Sequence, residues 1–146
     1  MHLALEAAPD PMDRLKKRVQ FRAAARGERW VGDAFVLQAR RRPDAERAEV
    51  PRAGFTASRK IGNAVERNRA RRRLREAARR TLAQAGRPGH DYVLVARRGA
   101  LAHPFSRLLA DLETAVSRVH RKLDRNRVQA GDPAEGGRGS PSLGAP

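Results

Sequence analysis

The sequence predicts a small sheet with helices packed on it, in the order α–β–β–β–α–β–α. Three observations carry this: two long stretches with apolar residues at helical spacing, short β-prone runs between them, and Gly or Pro at the joints. At 146 residues the length suits one domain, read here as 13–125. A disordered leader is expected over 1–12. A tail is expected over 126–146, where five Gly and three Pro leave nothing to build a core.

In chain order, Asp13 is read as the cap of a first helix from Arg14 to about Arg26. Leu15, Val19 and Ala23 are its apolar positions, Phe21 lies beside them, and Gly27 ends it. Trp30 and Val31 form a brief strand, and Phe35 to Ala39 a second. The charged stretch from Arg40 to Pro51, bounded by Pro43 and Pro51, is read as a hairpin loop that never enters a core. Ala53 to Ser58 is the next strand, with Gly54 marking a close backbone approach. From Ala64 the pattern turns helical. Ala70, Leu74, Ala77, Ala78, Leu82 and Ala85 form one stripe, and Gly86 stops the helix. Asp91 to Arg97 is a buried strand. Pro104 to Leu123 is an amphipathic last helix carrying Phe105, Leu108, Leu109, Leu112, Val116 and Val119.

Charge narrows the function. The formal net charge is +16, and only an acidic partner relieves self-repulsion of that size. Ten basic residues fall between Arg59 and Arg80 against Glu66 and Glu76, which places half the net charge in one segment. Nine of the ten are arginine, whose planar fork matches phosphate and stacks on bases. The alternatives are a solvated face, which would mix signs, or an anionic membrane, which would call for an apolar face rich in Trp, Phe and Leu. Nucleic acid is the expected partner. Apolar runs are far shorter than the ~20 residues that span a bilayer, so no membrane span is expected, and the first residues lack the pattern of a signal peptide. With no cysteine there is no disulfide or thiolate zinc site, and the expected compartment is cytoplasmic. His2, His90, His103 and His120 are widely spaced, and no nucleophile has a partnered base. Any phosphodiester cleavage would then lean on metal ions held by something else, RNA being the natural supplier.

Several residues stay open on this evidence. Gly62 and Asn63 either cap the arginine helix or let its amides meet a phosphate. Arg67, Asn68 and Arg69 fan across a wide arc. Asn68 is either an ordinary exposed residue or a contact to a base or 2′-hydroxyl. Arg14, Lys16, Lys17 and Arg18 surround Phe21, which either stacks a base or belongs to the core, and the same choice holds for Phe35 and Phe55.

The string from Phe55 to Ala77, FTASRKIGNAVERNRARRRLREA, closely resembles the signature of the bacterial ribonuclease P protein component. The resemblance rests on Arg67-Asn68-Arg69 inside a helix, the run Arg71, Arg72, Arg73, then Arg75, and the preceding Arg59, Lys60, Gly62 and Asn63. It extends through RLKKRVQF, FVLQA and DYVLVARRGA to cover roughly residues 13 to 123. It implies an α+β two-layer sandwich with a four-stranded sheet, three helices and a left-handed β–α–β crossover. That handedness is opposite to the general rule. It also implies the protein subunit of an endoribonuclease that removes the 5′ leader from precursor transfer RNA. Catalysis would lie in a ribonuclease P RNA using Mg2+ held mainly by the RNA, and the protein alone would be inactive. No membrane and no zinc are implied. The arginine helix would face the RNA, and a central cleft between the first helix and the sheet would hold the leader, with Phe21 and Lys17 in it. Two features depart from the pattern: Ala24 or Ala25 stands where a second aromatic is frequent, and Gln38 where Tyr is. Stacking in the cleft is then weaker or moves to Phe35. The rival readings are another structured-RNA-binding protein of ribosomal or chaperone type, a self-sufficient nuclease, and a DNA-binding helix.

Overall fold

Five strands, not four, make the sheet, in the order β1-β4-β5-β3-β2. The computed structural model describes residues 12–130 apart from positions 44, 46 and 47. The strands are β1 (Asp13–Arg14), β2 (Glu28–Val31), β3 (Phe35–Arg41), β4 (Arg52–Thr56) and β5 (His90–Ala96). The helices are α1 (Arg18–Ala25), α2 (Ala64–Ala85), the four-residue α3 (Gly99–Ala102) and α4 (Phe105–Ala130), with a 3-10 turn at Arg59–Ile61. β1 runs parallel to β4 and β4 parallel to β5, whereas β3 pairs antiparallel with both β5 and β2.

The extra strand corrects the start of the chain. Asp13 does not cap a helix: its N–H donates to Pro51 O at 2.8 Å, and Leu15 N–H donates to Ala53 O at 2.9 Å. This extended run sends Leu15 into a small core with Ala24 and Val93. The helix begins only at Arg18, where Gln20 Oε1 accepts from the N–H groups of Lys16 and Lys17 at 3.1 and 3.0 Å. Its buried residue is Ala24, and Val19 is 63 % exposed, so the inward face differs from the one expected.

Alternation along the strands separates two sheet faces. Phe35, Leu37 and Ala39 pair with Ala96, Leu94 and Tyr92, and all six belong to the main core beneath α2 and α4. α2 lays down Ala70, Leu74, Ala77, Ala78 and Leu82 as expected, although Ala85 is exposed. α4 adds Leu108, Leu112, Ala115, Val116 and Val119, and continues past Leu123 to Ala130. The helix therefore claims the first five residues of the expected tail; the rest of the tail and residues 1–11 lie outside the described residues. The opposite face carries the rows Arg52–Asp91–Arg40, Gly54–Val93–Gln38 and Thr56–Val95–Val36. The eight-residue α1 packs there.

The stretch from Arg40 to Pro51 is not a hairpin, because β5 lies between β3 and β4. Nor does it stay outside the core. Arg42, Ala45 and Pro51 are buried, and Arg40 and Arg41 belong to β3. The reason is Asp91, which is fully buried. It accepts from Arg40 Nε at 3.2 Å, Arg42 Nη1 at 3.2 Å, and Arg52 Nε and Nη2 at 2.8 and 3.0 Å. A buried carboxylate requires such partners, and the charged stretch supplies them.

Candidate nucleic-acid interface

The arginine helix starts from a tightly specified turn. Gly62 has φ of 150°, in the region that favours glycine, and a Cβ there would stand 2.0 Å from Glu66 Oε1. Asn63 caps α2: its Oδ1 accepts from Glu66 N–H at 2.9 Å, and Glu66 Oε1 accepts from Asn63 N–H at 2.9 Å. The chain's own carboxylate thus sits at the helix N-terminus, and Gly62 and Asn63 form the cap. Arg59 and Lys60 stand exposed on the turn before it.

Once folded, the arginines of α2 divide by environment. Arg73 points inward, donating to Ala100 O and, from Nη2, to His103 O at 2.6 Å. It anchors α2 to α3 and the residue after it. Burial, with Arg69 nearby, pulls its pKa below the ordinary arginine value. Arg67 Nη1 donates to Gly62 O at 2.9 Å, so it braces the cap. Asn68 Oδ1 accepts from Arg71 Nη2, which fixes that guanidinium. Arg75 lies over the Phe55 ring with its Cζ 5.6 Å from the centroid, and Arg80 lies over Phe105 at 5.1 Å. Glu76 pairs with Arg79 and Arg80. Arg69 and Arg72 are exposed with no hydrogen bond or ion pair among the described residues.

A groove follows the β1 edge of the sheet from α2 to the start of α1. At its α2 end, a cavity of about 270 Å³ is lined by Arg14, Phe21, Gly54, Phe55, Arg71 and Arg75 among others. A second, of about 220 Å³, continues along Met12, Asp13, Arg14, Phe55, Arg75 and Arg79. A third, of about 610 Å³, opens between Arg14, Lys16, Lys17, Gln20 and Arg52. Arg14 lines all three. Phe21 is half-buried, with Cε1 and Cζ of its ring packed on Gly54 beside the cavity.

Sequence reasoning expects Phe21 and Lys17 in one cleft; Phe21 lines a cavity with Arg71 and Arg75, and Lys17 lines the cavity that shares Arg14 with it. It misplaces Phe35, which is 1 % exposed on the opposite sheet face, its ring 5.5 Å from that of Trp30. The period of two that puts Phe35 with Leu37 and Ala39 settles the point. Gln38, on the other parity, shares the α1 face with Gly54. Phe55 and Arg79 were missed as groove residues. Phe55 sits next to Gly54 at the sheet edge, where the main-core face meets the groove.

Two electrostatic features frame the interface. Burial would raise Asp91, but hydrogen bonds from Arg52, Arg42 and Arg40 outweigh it and hold the carboxyl below its usual range. On the far side, Tyr92 Oη accepts from Arg87 N–H at 3.1 Å and is hydrogen-bonded to His120 Nε2 at 2.6 Å. Burial, with Arg87 and His90 nearby, brings the His120 pKa down to about 4, and burial pushes Tyr92 up to about 12.

A family model described as Ribonuclease P matches residues 10–120. The Ribonuclease P protein component of Ruegeria pomeroyi is 53 % identical over 107 residues, covering 73 % of this chain and 85 % of that protein. Its counterpart from Caulobacter vibrioides is 48 % identical over 113 residues, covering 77 % and 74 %. Among solved structures, the RNase P protein of Staphylococcus aureus superposes with a TM-score of 0.58 at 26 % identity, covering 71 % of this chain and 92 % of that one. The RNase P protein of Thermotoga maritima gives 0.57 at 25 % identity, covering 75 % and 96 %.

Proposed function

The chain belongs to the ribonuclease P protein family, and from that premise we propose that its basic groove holds the single-stranded 5′ leader of precursor transfer RNA while α2 faces the catalytic RNA. It is the protein subunit of a ribonuclease of transfer RNA processing that works with an RNA subunit. The observation that carries the groove reading is that Arg14 lines both the cavity holding Phe21, Arg71 and Arg75 and the cavity holding Lys17. An aromatic face supplies base stacking, and cations on both sides supply backbone contact. The left-handed path of β4–α2–β5 is part of this reading.

The bond-breaking step is assigned to the RNA partner. Among the described residues no group of three carboxylate or imidazole side chains converges. In this reading Mg2+ is held mainly by the RNA, and no step is derived through it. What the chain does is bind and orient. Phe21 stacks a leader base, and Arg14 and Lys17 hold the adjoining backbone. Arg69 and Arg72, exposed on α2, neutralise phosphates of the RNA partner and release their counterions. Among the described residues no helix is long and apolar enough to cross a membrane; the proposed compartment is cytoplasmic.

Reconstitution tests the proposal. A leader-bearing transfer RNA is offered to the protein, to the catalytic RNA and to both, across a magnesium series. Cleavage is expected from the RNA and from the pair, with the pair needing less magnesium. Cleavage by the RNA-free protein would overturn the assignment of catalysis.

A further inference from the structure

The groove changes character along its length. Beside α2 it offers aromatic surface, Phe21 and Phe55. At the start of α1, among the described residues, its lining holds no aromatic, but Arg14, Lys16, Lys17 and Arg52 gather there around Gln20, with Asp13 the one acid. Arg52 differs from the other three cations. Its side chain is 23 % exposed, and two of its nitrogens are held by the fully buried Asp91, whose own position is fixed by Arg40 and Arg42. The pairing is built into the sheet, because Arg52 and Arg40 are the register partners of Asp91 on its two neighbouring strands. A guanidinium held this way has already lost its rotamer freedom, so an anion that meets it does not bear that ordering cost. Lysines on the mobile side chains of Lys16 and Lys17 then add charge without fixing geometry.

We propose that Arg52, with Lys17, Lys16 and Arg14, forms a phosphate subsite that takes a phosphodiester of the leader beyond the nucleotide stacked at Phe21. This rests on the leader lying in the groove, as proposed above. The direction follows from the groove itself. Its Phe21 end adjoins α2, which faces the catalytic RNA, so the Arg52 end receives nucleotides farther from the cleavage point. A base would find no ring there, whereas a backbone phosphate finds four cations.

The test uses the reconstituted holoenzyme and precursors whose leaders lengthen one nucleotide at a time. For Arg52→Gln, affinity for the longest leaders should fall about tenfold, the scale of a lost charge-assisted hydrogen bond. The loss should shrink as the leader shortens. Arg52→Lys, which keeps the charge but not the fork, should fall between. In the wild-type protein, neutral methylphosphonates placed at distal leader positions should reproduce the Arg52→Gln loss, and this arm needs no variant to fold. A loss equal at every leader length, or none, would overturn the subsite and make Arg52 a purely structural partner of Asp91. If Phe21→Ala still distinguishes precursor from mature transfer RNA in that case, the leader reading stands and the subsite alone falls. If the wild-type holoenzyme gains nothing from any leader, both fall together.

Discussion

The ring of Phe21 rests on the bare backbone of Gly54, so close that a Cβ at Gly54 would stand 2.5 Å from Phe21 Cε1 and 2.6 Å from Cζ. Leu15 Cβ, at 3.1 Å, closes the third side. The aromatic that lines the groove is therefore held in place by the absence of a side chain on β4.

Gly54→Ala should force this contact apart. Overpacking of this kind costs about 1–3 kcal/mol, at the lower end here because the ring end of Phe21 can swing. Thermal unfolding should show the loss, and the Phe21 ring protons should change chemical shift. Unchanged stability with unchanged shifts would mean that the ring does not sit on Gly54 in solution.

The division among the α2 arginines predicts opposite behaviour for neighbours in sequence. Arg69→Ala with Arg72→Ala should leave stability within about 0.5 kcal/mol, as for surface substitutions away from special features. Affinity for the catalytic RNA should fall, and the slope of log affinity against log salt should shrink by about 1.4–1.8, the share of two phosphate contacts. Arg73→Ala should instead destabilise by about 1–3 kcal/mol, because Ala100 O and His103 O lose their donor. An unaltered salt slope in the first variant, or unaltered stability in the second, would reverse these roles.

Acid should weaken the fold through His120. Its pKa is about 4 when folded, below the ordinary 6.5 it takes when unfolded. Protons therefore bind the unfolded chain first. The full contribution is present above pH 6.5, is lost as pH falls from 6.5 towards 4, and amounts to about 3 kcal/mol at most. His120→Gln keeps an acceptor for the Tyr92 hydroxyl and should flatten that part of the stability curve. Asp91 acts lower: its depressed pKa gives stability that is present above its ordinary value of 3.8 and lost as pH falls through the folded value. An equally steep fall between pH 6.5 and 4 in His120→Gln would place the titrating group elsewhere.

What could be read from sequence follows the range of the interactions. α2 was legible from end to end because its stripe, its Asn63 cap and its Gly86 stop are all local signals. β5 was legible because a central strand is apolar on both faces. β1 was not, since two residues carry no period, and only hydrogen bonds to Pro51 and Ala53 reveal it. The charged stretch after Ala39 looked solvated because the carboxylate that Arg40 and Arg42 serve is 51 and 49 residues away. Phe21 and Phe35 were both open between stacking and core until the strand partners of Phe35 assigned it to the other face. The arginine string marked the region facing RNA, but it could not tell that Arg73 turns inward while Arg69 and Arg72 stay outside.

The central claim is that the groove beside Phe21 binds the leader, a part that only the precursor carries. The most direct measurement is the affinity of the reconstituted holoenzyme for precursor and for mature transfer RNA, with wild-type protein and with Phe21→Ala. Loss of one base–aromatic stack should weaken precursor binding about tenfold and leave mature binding unchanged. Equal losses for both RNAs would contradict the account and return Phe21 to the core.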